Sequence, residues 1–426
     1  MYVLQQAETH SWKVIVADAS LEAARQRIAS SVQGEAIKLD IRDSASLEHL
    51  LQRGEVILSL LPPHFHPVVA RLCLTLSKHL LTASYVSDAM KELHDEAKGK
   101  GLLFLNECGL DPGIDHMSAV QLIDRIHQQG GKVVSFESFT GGLIAPETDP
   151  GNPWRYKFTW NPRNVVMAGQ ATARFLQDGQ IKYIPYQQLF QRLTTVSVPG
   201  YGMFEGYANR DSLQYLDTYH LPHIRTMLRG TLRYPGFCSA WNVLVQLGCC
   251  DDTYVINNAV GMTHADFIDR FLPGNNELPV QEKVARQMQL KPEGEEMKRL
   301  MWSGLFSNEL IGLPEGTPAQ LLEHILNKRW ALAARDKDMI VMIHRFVYVI
   351  DGKEKTVQSS LVVKGEDDLN TAMAKTVGLP LGMAARLFLE NKIQSRGVVI
   401  PTLPEFYNPI LEELQTHGIT MMEEEP

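Results

Sequence analysis

Residues 56–69 read VILSLLPPHFHPVV, and this stretch decides the fold class. Its first six residues form a continuous run, apolar but for one serine, without alternation, as expected of a strand buried on both faces of a helix-covered parallel sheet. The Pro-Pro pair at 62 and 63 breaks the strand, and a helix is expected over 67–77. The same unit recurs on both sides. Upstream lie a strand at 13–17 (KVIVA), a helix over 20–30, a strand at 36–39 and a helix over 44–52. Downstream lie a strand at 79–82, a helix over 91–100 and the apolar run 102–105. This alternation defines an α/β, Rossmann-like doubly wound unit over residues 1–112. Residues 2–10 are already helix-like and no GxGxxG precedes residue 13. They are read as the tail of a first helix, with the first strand and glycine loop missing from the sequence, so that 13–17 becomes the second strand.

From about residue 131 the pattern changes to longer strands, at 132–140, 152–160, 181–185 and 196–207, separated by loops rich in Gly, Pro and aromatics. An α+β unit is expected over 113–370. Helix formers concentrate at about 265–335, with helices expected at 279–290, 295–305 and 318–332, making a small helical subdomain. The runs 339–350 and 356–364 flank Asp351-Gly352 and predict a hairpin. Helices at about 371–391 and 408–417 close the chain, and the acidic residues 423–425 read as a frayed end.

A chain of 426 residues exceeds one ordinary core and has room for a deep site. The 49 acidic residues outnumber the 41 basic ones, and no basic run is interleaved with aromatics, which argues against a nucleic-acid partner. Five cysteines without a CxxC suggest neither a disulfide framework nor a zinc knuckle, and point to a reducing cytoplasm. No apolar run approaches the roughly 18 residues of a membrane span, so no membrane partner is expected. GxSxG, HExxH and P-loop motifs are lacking, leaving hydrolase and phosphotransferase readings without support.

Candidate ligands cluster at the carboxyl ends of the expected strands, where open α/β sheets bind their ligands. Asp18 follows the strand 13–17, where an acidic residue receives an adenosine ribose; its competing reading is a helix cap beside Ser20. In the ribose role Asp18 would repel a 2′-phosphate and favour NAD over NADP. Asp40 either faces the adenine or forms a turn before Ser44, while Leu61 and Pro62 end a buried strand at the same edge. His64 and His66 follow directly and either touch cofactor or substrate at that edge or are simply solvated after the Pro-Pro turn; with no third ligand nearby, no metal is expected. Ser84 and Tyr85 follow the next strand, their alternative being a cap near Asp88. Asp111 lies in LNECGLDPGIDH (105–116), a strand breaking into a rigid Asp-Pro-Gly turn that would hold a carboxylate still. Arg210 and Arg233 stand in loop or strand-end contexts suited to bidentate carboxylate binding, or else pair internally with Asp211 or Glu205.

At these positions the chain resembles the glutamate-forming saccharopine dehydrogenases, also called saccharopine reductases, nearly end to end. The resemblance is carried by LLPPHFHPVV, TASYVSDAM, LNECGLDPGIDHMSA, GGLIAPETDPGNPWRYKFTWNPRNV, YANRDSLQY, RGTLRYPGF, MAKTVGLPLGMAA and RGVVIPTLPEFYNPILEEL. It implies a Rossmann domain completed by residues 371–426, and an α+β substrate and dimerisation domain. It implies reversible, NAD(P)-dependent conversion of saccharopine and water to L-glutamate and 2-aminoadipate 6-semialdehyde. By the resemblance, Ser84, Tyr85 and Asp111 line the substrate cleft, Arg210 and Arg233 bind substrate carboxylates, and Tyr85 and Asp111 are the ionisable candidates for proton transfer. The implied assembly is a homodimer. Thr140 stands where some relatives carry a cysteine, so no thiol chemistry is implied. Two other readings stay open: an imine reductase acting on another amino-acid or polyamine conjugate, and a non-catalytic binding paralogue.

Overall fold

The computed structural model describes residues 1–425 except Gly169, Asn275 and Asn276. The chain forms two compact units, one of Met1–Arg125 with Ala374–Thr420, the other of Ile126–Met373 with the last few residues.

In the first unit, the strands are β1 (Val14–Asp18), β2 (Gly34–Lys38), β3 (Val56–Ser59), β4 (His79–Thr82) and β5 (Leu103–Leu105). They alternate with helices such as Leu21–Ile28, Ser44–Arg53 and His66–Leu76. All pairings are parallel, but they form two ladders: β1 with β2, and β3-β4-β5 extended by the late strand Gly397–Val399. The continuous sheet expected from the alternation is thus divided, and Val14, Ile15 and Val16 remain only half-buried. Leu47, Leu51, Val69, Cys73, Leu80 and Phe104 form the core between helices and strands. The returning C-terminal helices are bound in by a polar network. Arg386, in helix Ala372–Leu389, donates to the Tyr2 hydroxyl at 2.7 Å and pairs with Glu390 at 2.8 Å and Glu413 at 2.5 Å. Helix Ala372–Leu389 is, against the reading from sequence, long and apolar enough to cross a membrane; 56% of it is buried inside the protein, as in a core helix.

The second unit is built on a nine-stranded sheet whose centre is β6 (Lys132–Ile144). Beside β6 lie β7 (Ala173–Gln177), β8 (Gln180–Ile184), β9 (Leu193–Val198), β10 (Gly202–Ala208) and β11 (Thr226–Arg233), with β11 parallel to β6 and β10 antiparallel to β11. On the other side the hairpin Asp338–Ile350 and Lys353–Lys364 turns at Asp351 (φ 52°) and Gly352 (φ 71°), the two positive angles that a type I′ turn requires. Three expectations change. Residues 196–207 are two strands, β9 and β10, because the segment 199–201 turns, with Gly200 at φ 74°. Residues 152–160 are irregular: the Asn152 side chain accepts from Trp154 N–H and donates to Tyr156 C=O, and Trp154, Tyr156 and Phe158 enter the core with Phe237 and Trp330. The acidic tail is not frayed, since Met422–Glu424 adds an edge strand to Lys353–Lys364 through backbone bonds that are indifferent to side-chain charge.

Asp338, fully buried, accepts from the backbone N–H groups of Ala372 at 2.6 Å and Met373 at 2.9 Å, capping the long helix where the chain turns back. Replacing it with alanine leaves two buried donors unpaired. Asp338→Ala is therefore expected to cost about 3 kcal/mol, read as a lowered urea midpoint, whereas Asp338→Asn keeps an acceptor and costs less.

Candidate active site

In the first unit the site is assembled where two strand-end loops meet. The chain leaving β4 passes Ser84 and Tyr85; the chain leaving β5 passes Glu107 and Asp111 and enters helix Ile114–Gln128. Backbone bonds join them, Glu107 N–H to Ser84 C=O at 3.0 Å and Cys108 N–H to Thr82 C=O at 3.2 Å. Glu107, at φ 55° and 4% exposed, accepts from Val86 N–H at 2.9 Å and from His116 Nε2 at 2.7 Å. Asp115 accepts from Gly113 N–H at 2.6 Å. Gly113 has φ 147°, and a Cβ there would lie 2.0 Å from Gly109 O, so only glycine fits the turn. Tyr85 OH consequently donates to Asp111 Oδ1 at 2.9 Å, bringing together a phenol and a carboxylate 26 residues apart. Ser84 is not a helix cap, since Ser87 caps helix Asp88–Lys91.

Ser84 Oγ lies 2.8 Å from His66 Nε2, and Ser59 Oγ lies 2.9 Å from His66 Nδ1. Burial, with a smaller contribution from His64, holds the His66 pKa down at about 4, so the ring is neutral near pH 7. His64 is exposed beside Phe65.

At the expected nucleotide edge, Asp18 accepts from Ser20 N–H at 2.8 Å, while Ser20 caps helix Leu21–Ile28. Asp40 is chelated by Arg42 through bonds of 2.9 and 2.7 Å, which lower its pKa to about 2. Leu61 is half-buried and Pro62 exposed at the end of β3.

In the second unit, Arg233 ends β11 and is 4% exposed. Its Nη1 donates to Leu232 C=O at 2.9 Å, its guanidinium carbon lies 5.0 Å from the Tyr156 ring centroid and 5.2 Å from that of Phe237, and its Nε has no hydrogen-bond partner among the described residues. Glu205 is its cross-strand neighbour but not its ion pair. That carboxylate accepts from Gly236 N–H at 2.7 Å and Cys238 N–H at 3.1 Å instead. Arg210 is exposed at φ 50°, while Asp211 pairs with Arg174 at 3.4 Å and caps the turn that follows. Strand alternation sets Arg229, Thr231 and Arg233 on one face, with Ser138 and Thr140 beside them on β6. Arg229, which the sequence reading passed over, is 8% exposed and lies 4.5 Å over the Tyr215 ring. The period-two spacing in RGTLR (229–233) was the available signal.

A parallel-stranded Rossmann unit with polar side chains gathered at its strand ends, followed by an α+β unit, defines a nicotinamide-dinucleotide oxidoreductase. Residues 1–105 match the saccharopine dehydrogenase NADP binding domain, and residues 109–419 the saccharopine dehydrogenase C-terminal domain. The chain belongs to the saccharopine dehydrogenase family. It is 34% identical to the saccharopine dehydrogenase [NADP(+), L-glutamate-forming] of Schizosaccharomyces pombe, over 96% of this chain and 93% of that one. It is 35% identical to alpha-aminoadipic semialdehyde synthase of Arabidopsis thaliana, over 96% of this chain and 40% of that longer protein. The apo saccharopine dehydrogenase (L-Glu forming) of Saccharomyces cerevisiae superposes with a TM-score of 0.86 at 33% identity, covering 100% of this chain and 97% of that one. The NAD preference drawn from Asp18 is not supported: its carboxylate is engaged with Ser20 N–H, and the matched domain and the fission yeast relative carry NADP in their names.

His66 links the site to acid stability. Its pKa is lowered from 6.5 to about 4 on folding, so its contribution is complete above 6.5 and is lost as pH falls toward 4. His66→Gln, which does not titrate, is expected to lose less stability than the parent between pH 7 and pH 5 in urea unfolding.

Proposed function

We propose that this chain catalyses the reversible NADP-dependent oxidation of saccharopine, with water, to L-glutamate and 2-aminoadipate 6-semialdehyde. The observation that carries the substrate class is Arg233, a buried guanidinium with no carboxylate partner among the described residues. Burying such a charge costs several kcal/mol, and a ligand carboxylate recovers it through bidentate bonds. Arg210 serves a second carboxylate in the same reading. An oxidised nicotinamide cofactor, when bound, would supply the hydride acceptor that converts the carbon bearing the secondary amine to an imine. Water then adds to the imine, and the carbinolamine separates into amine and aldehyde. Asp111 is the acceptor for the protons these steps release, and the Tyr85 hydroxyl holds its Oδ1 in place at 2.9 Å. Ser84 supplies a hydroxyl contact to substrate. Leu61 and Pro62 lie along the cofactor edge in the same reading. Cytoplasmic homodimers belong to the same reading. A rival imine substrate draws no support from the relatives' names.

The test is initial-rate absorbance of reduced cofactor with saccharopine, using NADP and NAD in parallel. The parent should turn over with NADP preferred. Arg233→Ala should raise KM for saccharopine at least about ten-fold, and Asp111→Asn should lower kcat about a hundred-fold with a smaller change in KM. No turnover of saccharopine by folded protein with either cofactor would overturn the assignment.

A further inference from the structure

We infer that His66 is a positioning residue that fixes the polarity of Ser84, making the serine hydroxyl a hydrogen-bond donor to a carboxylate oxygen of the substrate. Three side chains carry the argument. Ser59 is the last residue of β3 and Thr82, its register partner, the last of β4; His66 opens the helix His66–Leu76. All three are buried, at 3%, 1% and 3% exposed respectively for Ser59, Thr82 and His66.

Among the described residues the Ser59 hydroxyl has one side-chain bond, to His66 Nδ1 at 2.9 Å. A buried hydroxyl that only accepted there would leave its own proton without a partner, so Ser59 donates and Nδ1 accepts. A neutral imidazole then carries its single proton on Nε2. The nearest acceptor is Ser84 Oγ at 2.8 Å. Thr82 Oγ1 accepts Ser84 N–H at 3.2 Å and reaches Nε2 only at 3.4 Å, so its proton competes for the ring across a much longer distance than the 2.9 Å Ser59 bond that fixes the tautomer. Ser84 thus receives a hydrogen bond from His66, and its own O–H must point elsewhere. Half-buried rather than sealed, Ser84 can offer that proton to a ligand. Were the imidazole in the other tautomer, Ser84 would spend its proton on Nε2 and present lone pairs, which repel a carboxylate and attract an ammonium. The order Ser59 to His66 to Ser84 therefore selects which end of a zwitterionic amino-acid substrate the serine accepts.

The inference rests on Ser84 as a substrate ligand, so the test separates the two. Nitrogen NMR of the protein carrying labelled histidine, with the His66 signals assigned by their loss in His66→Gln, reads the tautomer without any substrate. The Nε2–H form is expected, and the Nδ1–H form would overturn the inference whatever the substrate proves to be. Ser59→Ala should shift the population toward the Nδ1–H form. In kinetics with saccharopine, His66→Ala should raise KM about ten-fold with little change in kcat, and His66→Gln, whose amide N–H reaches the Nε2 position, should restore it. In a Ser84→Ala background, His66→Ala should add nothing. An undiminished effect of His66→Ala there would show a merely structural role, whereas a Ser84→Ala protein with unchanged KM would remove the substrate reading of Ser84 itself.

Discussion

The buried carboxylate of Glu107 is the constraint on which the first unit's site depends. It receives Val86 N–H from one loop and His116 Nε2 from the helix that ends the other, so two strand-end segments cannot separate without leaving a charge unsatisfied in the interior. The Tyr85–Asp111 bond is a consequence of that clamp. Gly113 and Asp115 complete it, because the tight turn that no side chain could enter is closed by the Asp115 carboxylate. The Asp111 carboxylate is thereby fixed in place through Tyr85.

The second unit meets a different electrostatic problem in a complementary way. Arg233 is desolvated, flanked by aromatic faces and without a counter-charge among the described residues, while Glu205, the obvious partner, is committed to a helix N-terminus. Aromatic faces offset part of the desolvation but do not neutralise it. Such an arrangement makes carboxylate binding favourable and spreads the stability cost over a large aromatic core.

Much of the fold was legible in residue patterns. The apolar run at 56–61, the Asp-Gly hairpin and the long C-terminal helix each depend on local chemistry that a sequence displays directly. Segment 152–160 was misread because its aromatic residues have strand propensity, yet its conformation is dictated by Asn152 side-chain bonds and by rings packed against distant helices. The division of the parallel strands into two ladders follows from which backbones meet, a matter on which side-chain periodicity is silent.

The sequence by itself determined the residue types available at the strand ends, the Asp-Pro-Gly turn and the family to which the chain belongs. Tertiary structure alone decided how those residues are used. Asp18 and Asp40 share the same strand-end setting with Asp111, but the first caps a turn, the second is chelated by Arg42, and the third receives a phenol from another loop. A carboxylate's role is set by what lies within about 3 Å of it, and neighbours at that range come from chain segments whose separation in sequence carries no distance information.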